Sequence, residues 1–289
     1  MTKTVLVLGG HGRFGRHAAI AFLNAGWTVR AFDRRKDDLL KAATGCDVIV
    51  AAWNPAYPDW AEQVPELHRR IIETAQATGA TVIIPANVYV YGDGSPSILM
   101  AETPHNATNP LGRIRIEMER AYRESGIPVL FLRAGDFIDT EPSGNWFDQI
   151  MVKSLHNGKL TYPGKAGIPH AWAYLPDLAR AAVLLAEKPD FPSGAEEVLF
   201  PGYQLSGEDI ASNLEAITER PIRVHQMNWL PIQLAAPFWK MGKCLAEMRY
   251  LWNMPHQLDG SRFDTLLPDF KATPIQEALS RATAHLRSA

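Results

Sequence analysis

The stretch Gly9-Gly10-His11-Gly12-Arg13-Phe14-Gly15 decides the fold. It follows an apolar run, Thr4–Leu8, that predicts a buried strand, and it precedes residues 17–24, which predict a helix. The first glycine lets the chain turn out of the strand, the second lets backbone approach a diphosphate, and the third removes a side chain where helix meets sheet. The helix N-terminus offers unpaired N–H groups to phosphates. The stretch therefore predicts a dinucleotide-binding loop.

A second predicted strand, Thr28–Phe32, ends in Asp33, which marks the ribose position of such a loop. A carboxylate there accepts hydrogen bonds from both ribose hydroxyls and repels a 2′-phosphate, which favours NAD. Arg34 and Arg35 come next, and either guanidinium would cover a 2′-phosphate if Asp33 turned aside. We therefore expect NAD as the cofactor, with NADP left open.

Composition limits the class of protein. The chain has 289 residues, 46% of them hydrophobic, and a formal net charge of −2, which argues against non-specific nucleic-acid binding. The two cysteines and nine histidines show no metal-ligand spacing, so no metal site is predicted. The first apolar run is too short for a signal peptide or a membrane span. We expect a cytoplasmic protein with a small-molecule substrate.

Short apolar strands alternate with helical segments after the glycine stretch, which predicts parallel strands joined by crossovers. The fold class expected is α/β, a Rossmann-type doubly wound parallel sheet of about six strands with a small C-terminal α+β lobe. We expect a dinucleotide-binding domain over residues 1–190 and a substrate lobe over 191–289, interleaved into one compact unit. Residues 34–46 have room for one short helix only, so the sheet should lack an edge strand on the adenine side.

Helices are predicted over residues 65–78, 109–125, 148–157 and 176–187. A strand over residues 198–200 is placed in the C-terminal lobe. Residues 229–252 are rich in Met, Trp and Leu, which is typical of core or of an interface, and a homodimer is left open.

Taken together, these segments resemble the extended short-chain dehydrogenase/reductases, the NAD-dependent epimerases and dehydratases. The glycine motif and Asp33 match, and Val90-Tyr91-Gly92 looks like the turn beside the catalytic serine. The resemblance implies that Ala51, Ala52 and Trp53 pass beneath the cofactor and that Ala134 lines the nicotinamide. It also implies that the cofactor is bound by residues 9–15, Asp33, Arg34 and Arg115.

The catalytic residues of that family do not carry over. Its chemistry needs a Tyr-x-x-x-Lys motif and a serine or threonine, but Leu111-Gly112-Arg113-Ile114-Arg115 stands in place of the first and Asn87 in place of the second. Leucine donates no proton, and arginine keeps the positive charge of lysine without acting as an acid.

Four residues are candidates for the missing chemistry. Asn87 has an amide that could hold a substrate oxygen, and Tyr89, two residues on in an extended chain, would share its face. The resemblance implies that Asp136 lies in the segment facing the nicotinamide and that Arg115 would hold the ribose. The chain is therefore expected to be an NAD(P)-dependent oxidoreductase, or an epimerase- or dehydratase-like enzyme, acting on a carbonyl, hydroxyl or sugar-nucleotide substrate with an altered acid/base set. The alternative is an NAD(P)-binding redox sensor or regulatory protein without turnover.

Overall fold

The computed structural model of the protein describes residues 2–287. Its strands in this part of the chain are β1 (Thr4–Leu8), β2 (Thr28–Phe32), β3 (Val48–Ala51), β4 (Thr81–Ala86), β5 (Ile98–Leu99), β6 (Val129–Arg133), β7 (Asp136–Ile138), β8 (Lys159–Tyr162), β9 (His170–Tyr174), β10 (Ala195–Leu199), β11 (Tyr203–Leu205), β12 (Arg223–Gln226) and β13 (Gln257–Leu258). Its α-helices are α1 (Arg13–Asn24), α2 (Leu39–Ala43), α3 (Trp60–Thr78), α4 (Pro110–Glu124), α5 (Leu175–Ala186), α6 (Gly207–Thr218), α7 (Leu230–Ala235), α8 (Lys240–Glu247), α9 (Ser261–Leu266), α10 (Ile275–Ala282) and α11 (Ala284–Arg287).

The main sheet has six parallel strands in the order β10-β6-β4-β3-β1-β2, which confirms the predicted fold class. The chain runs outward from β1 to β2 and then returns to β3 on the other side of β1. This reversal opens a crevice at the carboxyl ends of β1 and β3, where ligands bind in such sheets. β2 is an edge strand, so the missing edge strand is confirmed as well.

Apolar side chains cover both faces of this sheet. Helices α3 and α4 contribute to one buried cluster, and α1 and α5 contribute to the other. The two clusters take alternate residues of the strands: Leu6 belongs to the first and Val5 to the second. A strand buried on both faces reads as a continuous apolar run, which is why β1 was recognisable from the sequence.

The expected strand over residues 198–200 is longer and lies elsewhere. β10 pairs with β6 in the main sheet, with Val198 opposite Leu132. The main sheet therefore takes its sixth strand from beyond residue 190, and the division of the chain into two domains stays a prediction.

The remaining strands form three small sheets: β7, β9 and β11; β8 and β12; β5 and β13. A third buried cluster joins β8, β9 and α6 to the aromatic residues Trp229 and Trp252. β7 starts three residues after β6 ends, so this short connection joins the main sheet to the small sheet of β7, β9 and β11.

Three predicted helices differ from the structure. α1 begins at Arg13, inside the glycine motif, and α3 begins at Trp60, whose buried ring anchors an added turn before Pro65. The segment expected as one helix over 148–157 contains a π-turn, Phe147–Met151, and a 3₁₀ turn, Leu155–Asn157. The Asp148 carboxylate accepts the backbone N–H groups of residues 143, 144 and 145, so it closes the preceding loop.

No helix among residues 2–287 is long and apolar enough to cross a membrane.

Candidate active and cofactor site

The glycine loop makes a tight turn against β3. Gly9 has φ +78°, and a Cβ there would lie 2.8 Å from the backbone of Trp53. A Cβ on Gly15 would overlap the Gly9 carbonyl oxygen, and one on Gly12 would lie 3.1 Å from it. The glycines thus let the start of α1, the loop and the chain after β3 approach one another closely.

The N-terminus of α1 faces this loop without a side-chain cap. Gly12 is the N-cap residue, and no side chain of the described residues accepts its first N–H groups. A 12-residue helix with an open N-terminus, preceded by a glycine loop, is suited to bind a diphosphate. Gly10 is half-buried and His11 is exposed. The Phe14 side chain lies in the core, so only the backbone of Phe14 can face a ligand.

Arg13 joins the glycine loop to the segment after β7. Its Nε donates to the carbonyl of Ser143 at 3.0 Å, and its Nη2 donates to the carbonyl of Gly144. The next turn of α1 makes a second connection, because Arg16 and His17 both contact the buried Asp139 carboxylate at 2.7 Å. Residues 139–144 are therefore held beside the glycine loop.

A pocket of about 280 Å³ opens beside the ends of β1, β2 and β3. Leu8, Phe32 and Trp53, each at or just after the end of one of these strands, form part of its wall together with Leu39 and Leu67 on α2 and α3. The guanidinium of Arg34 lies 5.1 Å from the centre of the Trp53 ring. Gln63 and Arg70 add polar groups to the lining. A pocket with these apolar, aromatic and cationic walls could hold a flat base such as adenine.

Asp33 follows β2 and is exposed beside this pocket. Its Oδ1 accepts the backbone N–H of Arg35 at 3.0 Å, and its Oδ2 lies 3.5 Å from the Lys36 ammonium. The hydrogen bond from Arg35, with the nearby charge of Lys36, lowers the pKa of the Asp33 carboxyl. Asp33 is thus an ionised acceptor at the position where a ribose would be expected.

Polar side chains follow three neighbouring strands at the other side of the crevice. Tyr57 comes after β3, Tyr89 after β4, and Asp136 after β6. The phenol oxygens of Tyr57 and Tyr89 lie 2.6 Å apart, which is a strong hydrogen bond. The charge of Asp136 acts on both phenols. We refer to these three residues as the strand-end cluster.

The prediction that Tyr89 lies in an extended segment was wrong. Residues Val88–Val90 form a 3₁₀ turn, and the Asn87 side-chain oxygen accepts the backbone N–H of Tyr89 at 3.0 Å. Asn87 therefore caps the turn that carries Tyr89. An amide two residues before its backbone partner is a common turn-forming arrangement, and it replaces the alternation of a strand.

Leu111 and Arg115 lie where the sequence comparison placed them, in the first turns of α4. Leu111 is buried, and no proton-donating group stands at its position. Arg115 is also buried: its Nη2 donates to Asn54 at 2.7 Å, and its guanidinium lies 4.1 Å from the Trp60 ring centre. Its charge acts on both phenols of the strand-end cluster.

Burial raises the pKa of all three groups in the strand-end cluster, with different consequences for the phenols and the carboxyl. It raises the pKa of Tyr57 and raises that of Tyr89 well above 10, so both phenols are neutral donors at physiological pH. Burial also raises the pKa of the Asp136 carboxyl to about 7, although the charge of Arg13 opposes the rise. Asp136 can therefore accept or release a proton near neutral pH.

Ala51, Ala52, Trp53 and Ala134 line the base of the crevice. Ala51 is buried at the end of β3, and the backbone of the next two residues packs against Gly9. Ala134 follows β6, is buried, and donates its N–H to the Ala86 carbonyl at 3.0 Å. The three alanines carry only a methyl group, so no bulky side chain stands at these three positions.

One group of possible metal ligands occurs among residues 2–287: His105, Glu119 and Glu197, whose ligand atoms all lie within 4.8 Å. Arg133 donates to Glu119 at 2.7 Å and to Glu197 at 2.6 Å. Arg133, together with Arg123, which also pairs with Glu197, neutralises the two carboxylates that a cation would need, and the group forms a buried ion-pair network.

Sequence reasoning missed Tyr57. It lies in the loop after β3, where no spacing motif marks it, and in the sequence it is one of eight tyrosines. The signal that could have found it is topological, because a polar residue soon after a central parallel strand lies at the ligand-binding edge of the sheet.

The NAD dependent epimerase/dehydratase family matches residues 5–198. A search of curated proteins found no match.

Three solved structures share the fold over nearly their whole length. The first is a UDP-glucuronic acid 4-epimerase from Bacillus cereus in complex with NAD, with 18% identity, coverage of 99% of this chain and 96% of that one, and a TM-score of 0.75. The second is an NAD-dependent NDP-hexosamine 5,6-dehydratase of tunicamycin biosynthesis, with 16% identity, coverage of 100% and 99%, and a TM-score of 0.74. The third is a UDP-N-acetylglucosamine 4-epimerase from Methanobrevibacter ruminantium M1 in complex with UDP-N-acetylmuramic acid, with 15% identity, coverage of 99% of both chains, and a TM-score of 0.72.

Proposed function

Because this chain belongs to the NAD dependent epimerase/dehydratase family, we propose that it is an enzyme that binds NAD and acts on a hydroxyl group of a sugar nucleotide or a related small molecule. Structurally similar proteins crystallised with NAD or a sugar nucleotide support this choice of ligands. NAD is also favoured by the exposed, ionised Asp33, since a carboxylate repels a 2′-phosphate.

The observation that carries the proposal is the position of the strand-end cluster. Tyr57, Tyr89 and Asp136 follow three neighbouring strands on one side of the crevice. The glycine loop and the pocket beside the ends of β1, β2 and β3 lie on the other side. A dinucleotide bound across the crevice would place its two ends at these two sites.

Each part of the cofactor has residues suited to it. The loop over residues 9–15 would hold the diphosphate, and Asp33 and the Arg34–Trp53 wall would hold the adenosine. Arg115, Ala134 and the chain after β3 would bound the nicotinamide half. When bound, NAD supplies a hydride acceptor and donor.

The protein's own residues supply the proton transfer. Asp136 has a carboxyl whose pKa of about 7 suits general acid/base catalysis at neutral pH. Tyr89 supplies a neutral hydroxyl donor, and Asn87 positions Tyr89 through the turn that it caps. These residues would replace the tyrosine and serine that the sequence lacks.

Fluorescence titration with NADH and NADPH tests the first half of the proposal, and we expect saturable binding that favours NADH. The second half is tested by incubating the protein and NAD with UDP-glucose, UDP-glucuronic acid and UDP-N-acetylglucosamine, and analysing the sugars by NMR. Conversion of a sugar supports the enzyme, whereas the absence of NADH binding would overturn the proposal.

The second candidate is an NAD-binding sensor without turnover. It rests on the buried Leu111, which leaves the usual proton-donating position of the family without a polar group. Tight NADH binding together with no conversion across the sugar-nucleotide panel would favour the sensor over the enzyme.

A further inference from the structure

Tyr57 and Tyr89 form a hydrogen-bonded pair of phenols that comes from two different loops. Their oxygens lie 2.6 Å apart, and Trp60 packs against both rings at 5.0 and 6.1 Å between centroids. Two hydroxyls joined by one hydrogen bond use only one of their two hydrogens. The second O–H is therefore left to donate elsewhere.

Charged side chains from three elements surround the pair. Asp136 and Arg13 act on Tyr57 from the β7 and α1 sides, and Arg115 acts on it from α4. Tyr162 on β8 also faces Asp136, but its hydroxyl is bonded to His170 at 2.5 Å. Among the described phenols that face Asp136, only Tyr57 and Tyr89 are bonded to one another.

A donor chain of this kind is a strong hydrogen-bond donor. The first O–H polarises the second, and in a site with little water the second O–H binds a negatively charged oxygen more firmly than an isolated hydroxyl does. Neither phenol is suited to give up its proton completely, because burial raises the pKa of both.

We propose that the Tyr57–Tyr89 pair holds the reacting oxygen of the substrate by a hydrogen bond and that Asp136 exchanges the proton. This inference rests on the proposed function. It separates two tasks, holding the oxygen and moving the proton, and gives Tyr57 a role that neither the sequence motifs nor the family match assigns.

In the oxidation of a substrate hydroxyl, the substrate C–H bond breaks, and bound NAD would accept the hydride as the oxidant. The substrate O–H bond breaks, its electron pair forms the second carbon–oxygen bond, and its proton goes to the Asp136 carboxylate. The Tyr57–Tyr89 pair donates a hydrogen bond to this oxygen while negative charge develops on it. The reverse step returns the proton from Asp136.

Phenylalanine variants of the pair test the proposal on a substrate that the sugar-nucleotide panel identifies. Tyr57→Phe and Tyr89→Phe should both lower kcat, by roughly 10²–10³-fold for the phenol that contacts the oxygen and by less for the phenol that polarises it, with NADH affinity unchanged. The double variant should be at most a few fold slower than the slower single variant, because the two hydroxyls act as a unit. Tyr91→Phe is the control, since its hydroxyl makes only 3.4 Å contacts outside the crevice. It should stay within about twofold of wild type.

NMR of the protein labelled at the tyrosine ζ-carbons and aspartate γ-carbons tests the division of tasks without a substrate. The Tyr57 and Tyr89 signals should show no phenol ionisation from pH 6 to pH 9, while the Asp136 signal moves with a midpoint near 7. Ionisation of either phenol below the Asp136 midpoint would overturn the proposal.

The outcomes distinguish this inference from the proposed function. Failure to bind NADH or to convert any sugar defeats the proposed function, and the NMR titration then decides the phenol assignment alone. Conversion with full activity in Tyr57→Phe leaves the proposed function standing and overturns the oxygen-holding pair.

Discussion

The hydroxyls of Tyr57 and Tyr89 lie 2.6 Å apart although 32 positions separate the two residues in the chain. The contact exists because β3 and β4 are parallel neighbours, so that the segments after them meet at one edge of the sheet. The edge of the sheet at the carboxyl ends of its strands thus carries polar groups, although α4 has Leu111 where the family resemblance would place a phenol.

The first prediction concerns the diphosphate loop. Gly12→Val adds a branched side chain only 3.1 Å from the Gly9 carbonyl, on the loop that is proposed to contact the diphosphate. NADH affinity should fall by more than about tenfold, or about 1.4 kcal/mol. Gly194→Val is the matched control, because a Cβ there meets nothing within 4 Å. Equal NADH affinity for both variants in a fluorescence titration would exclude residues 9–15 as the binding loop.

Cofactor choice depends on Asp33 in the second prediction. Asp33→Ala removes the ribose acceptor and leaves Arg34 and Lys36 at the same edge, so NADH should bind more weakly and NADPH as well or better. Asp38→Ala, which removes the same charge at the cap of α2, should leave the preference unchanged. If the wild-type protein prefers NADPH in competition titrations, the arginines rather than Asp33 set the choice.

The third prediction is a pH dependence of stability. Because the pKa of Asp136 is about 7 in the folded protein against 3.8 ordinarily, the native state binds more protons than the unfolded chain between these values. Its contribution therefore favours folding less as the pH rises through this window. Asp136→Asn removes this pH dependence. The free energy of unfolding of the variant should therefore equal that of wild type near pH 4 and exceed it by about 1–3 kcal/mol at pH 8.

Urea unfolding at both pH values measures this difference, with the exposed Asp93→Asn as the control. A variant that is no more stable than wild type at pH 8 would show that Asp136 is ionised at little cost in the folded protein.

A fourth prediction addresses the buried ion pairs beneath the site. Arg133→Met leaves the buried Glu119 without its guanidinium partner and leaves Glu197 paired only with the partly exposed Arg123, so the free energy of unfolding should fall by about 3–5 kcal/mol. Arg120→Met breaks only exposed pairs with Glu117 and Glu124 and should change stability by less than about 1 kcal/mol. Similar losses in both variants would argue against a distinct role for the buried network.

Much of the fold was predictable because it depends on local patterns. The apolar run of β1, the glycines after it and the short connection between Asp33 and β3 together predicted the sheet and its missing edge strand. The pairing of β10 with β6 was not predictable, because residues 195–199 are separated from β6 by more than sixty positions and no local signal selects the partner.

The candidate site was predictable only in part. Tyr89 and Asp136 follow strands that the sequence marks clearly, and the glycine loop carries its own motif. Tyr57 emerged only from the three-dimensional arrangement, and the turn at Val88–Val90 depends on the Asn87 cap, which competes with the extended conformation.

The most direct test of the central claim is a crystal structure of the protein with NAD bound. We predict that the nicotinamide C4 lies within about 6 Å of the Tyr57 or Tyr89 hydroxyl, with the Asp136 carboxylate on the same side, so that one substrate oxygen can reach both groups. A nicotinamide ring bound more than about 6 Å from both phenols and from Asp136 would contradict the account.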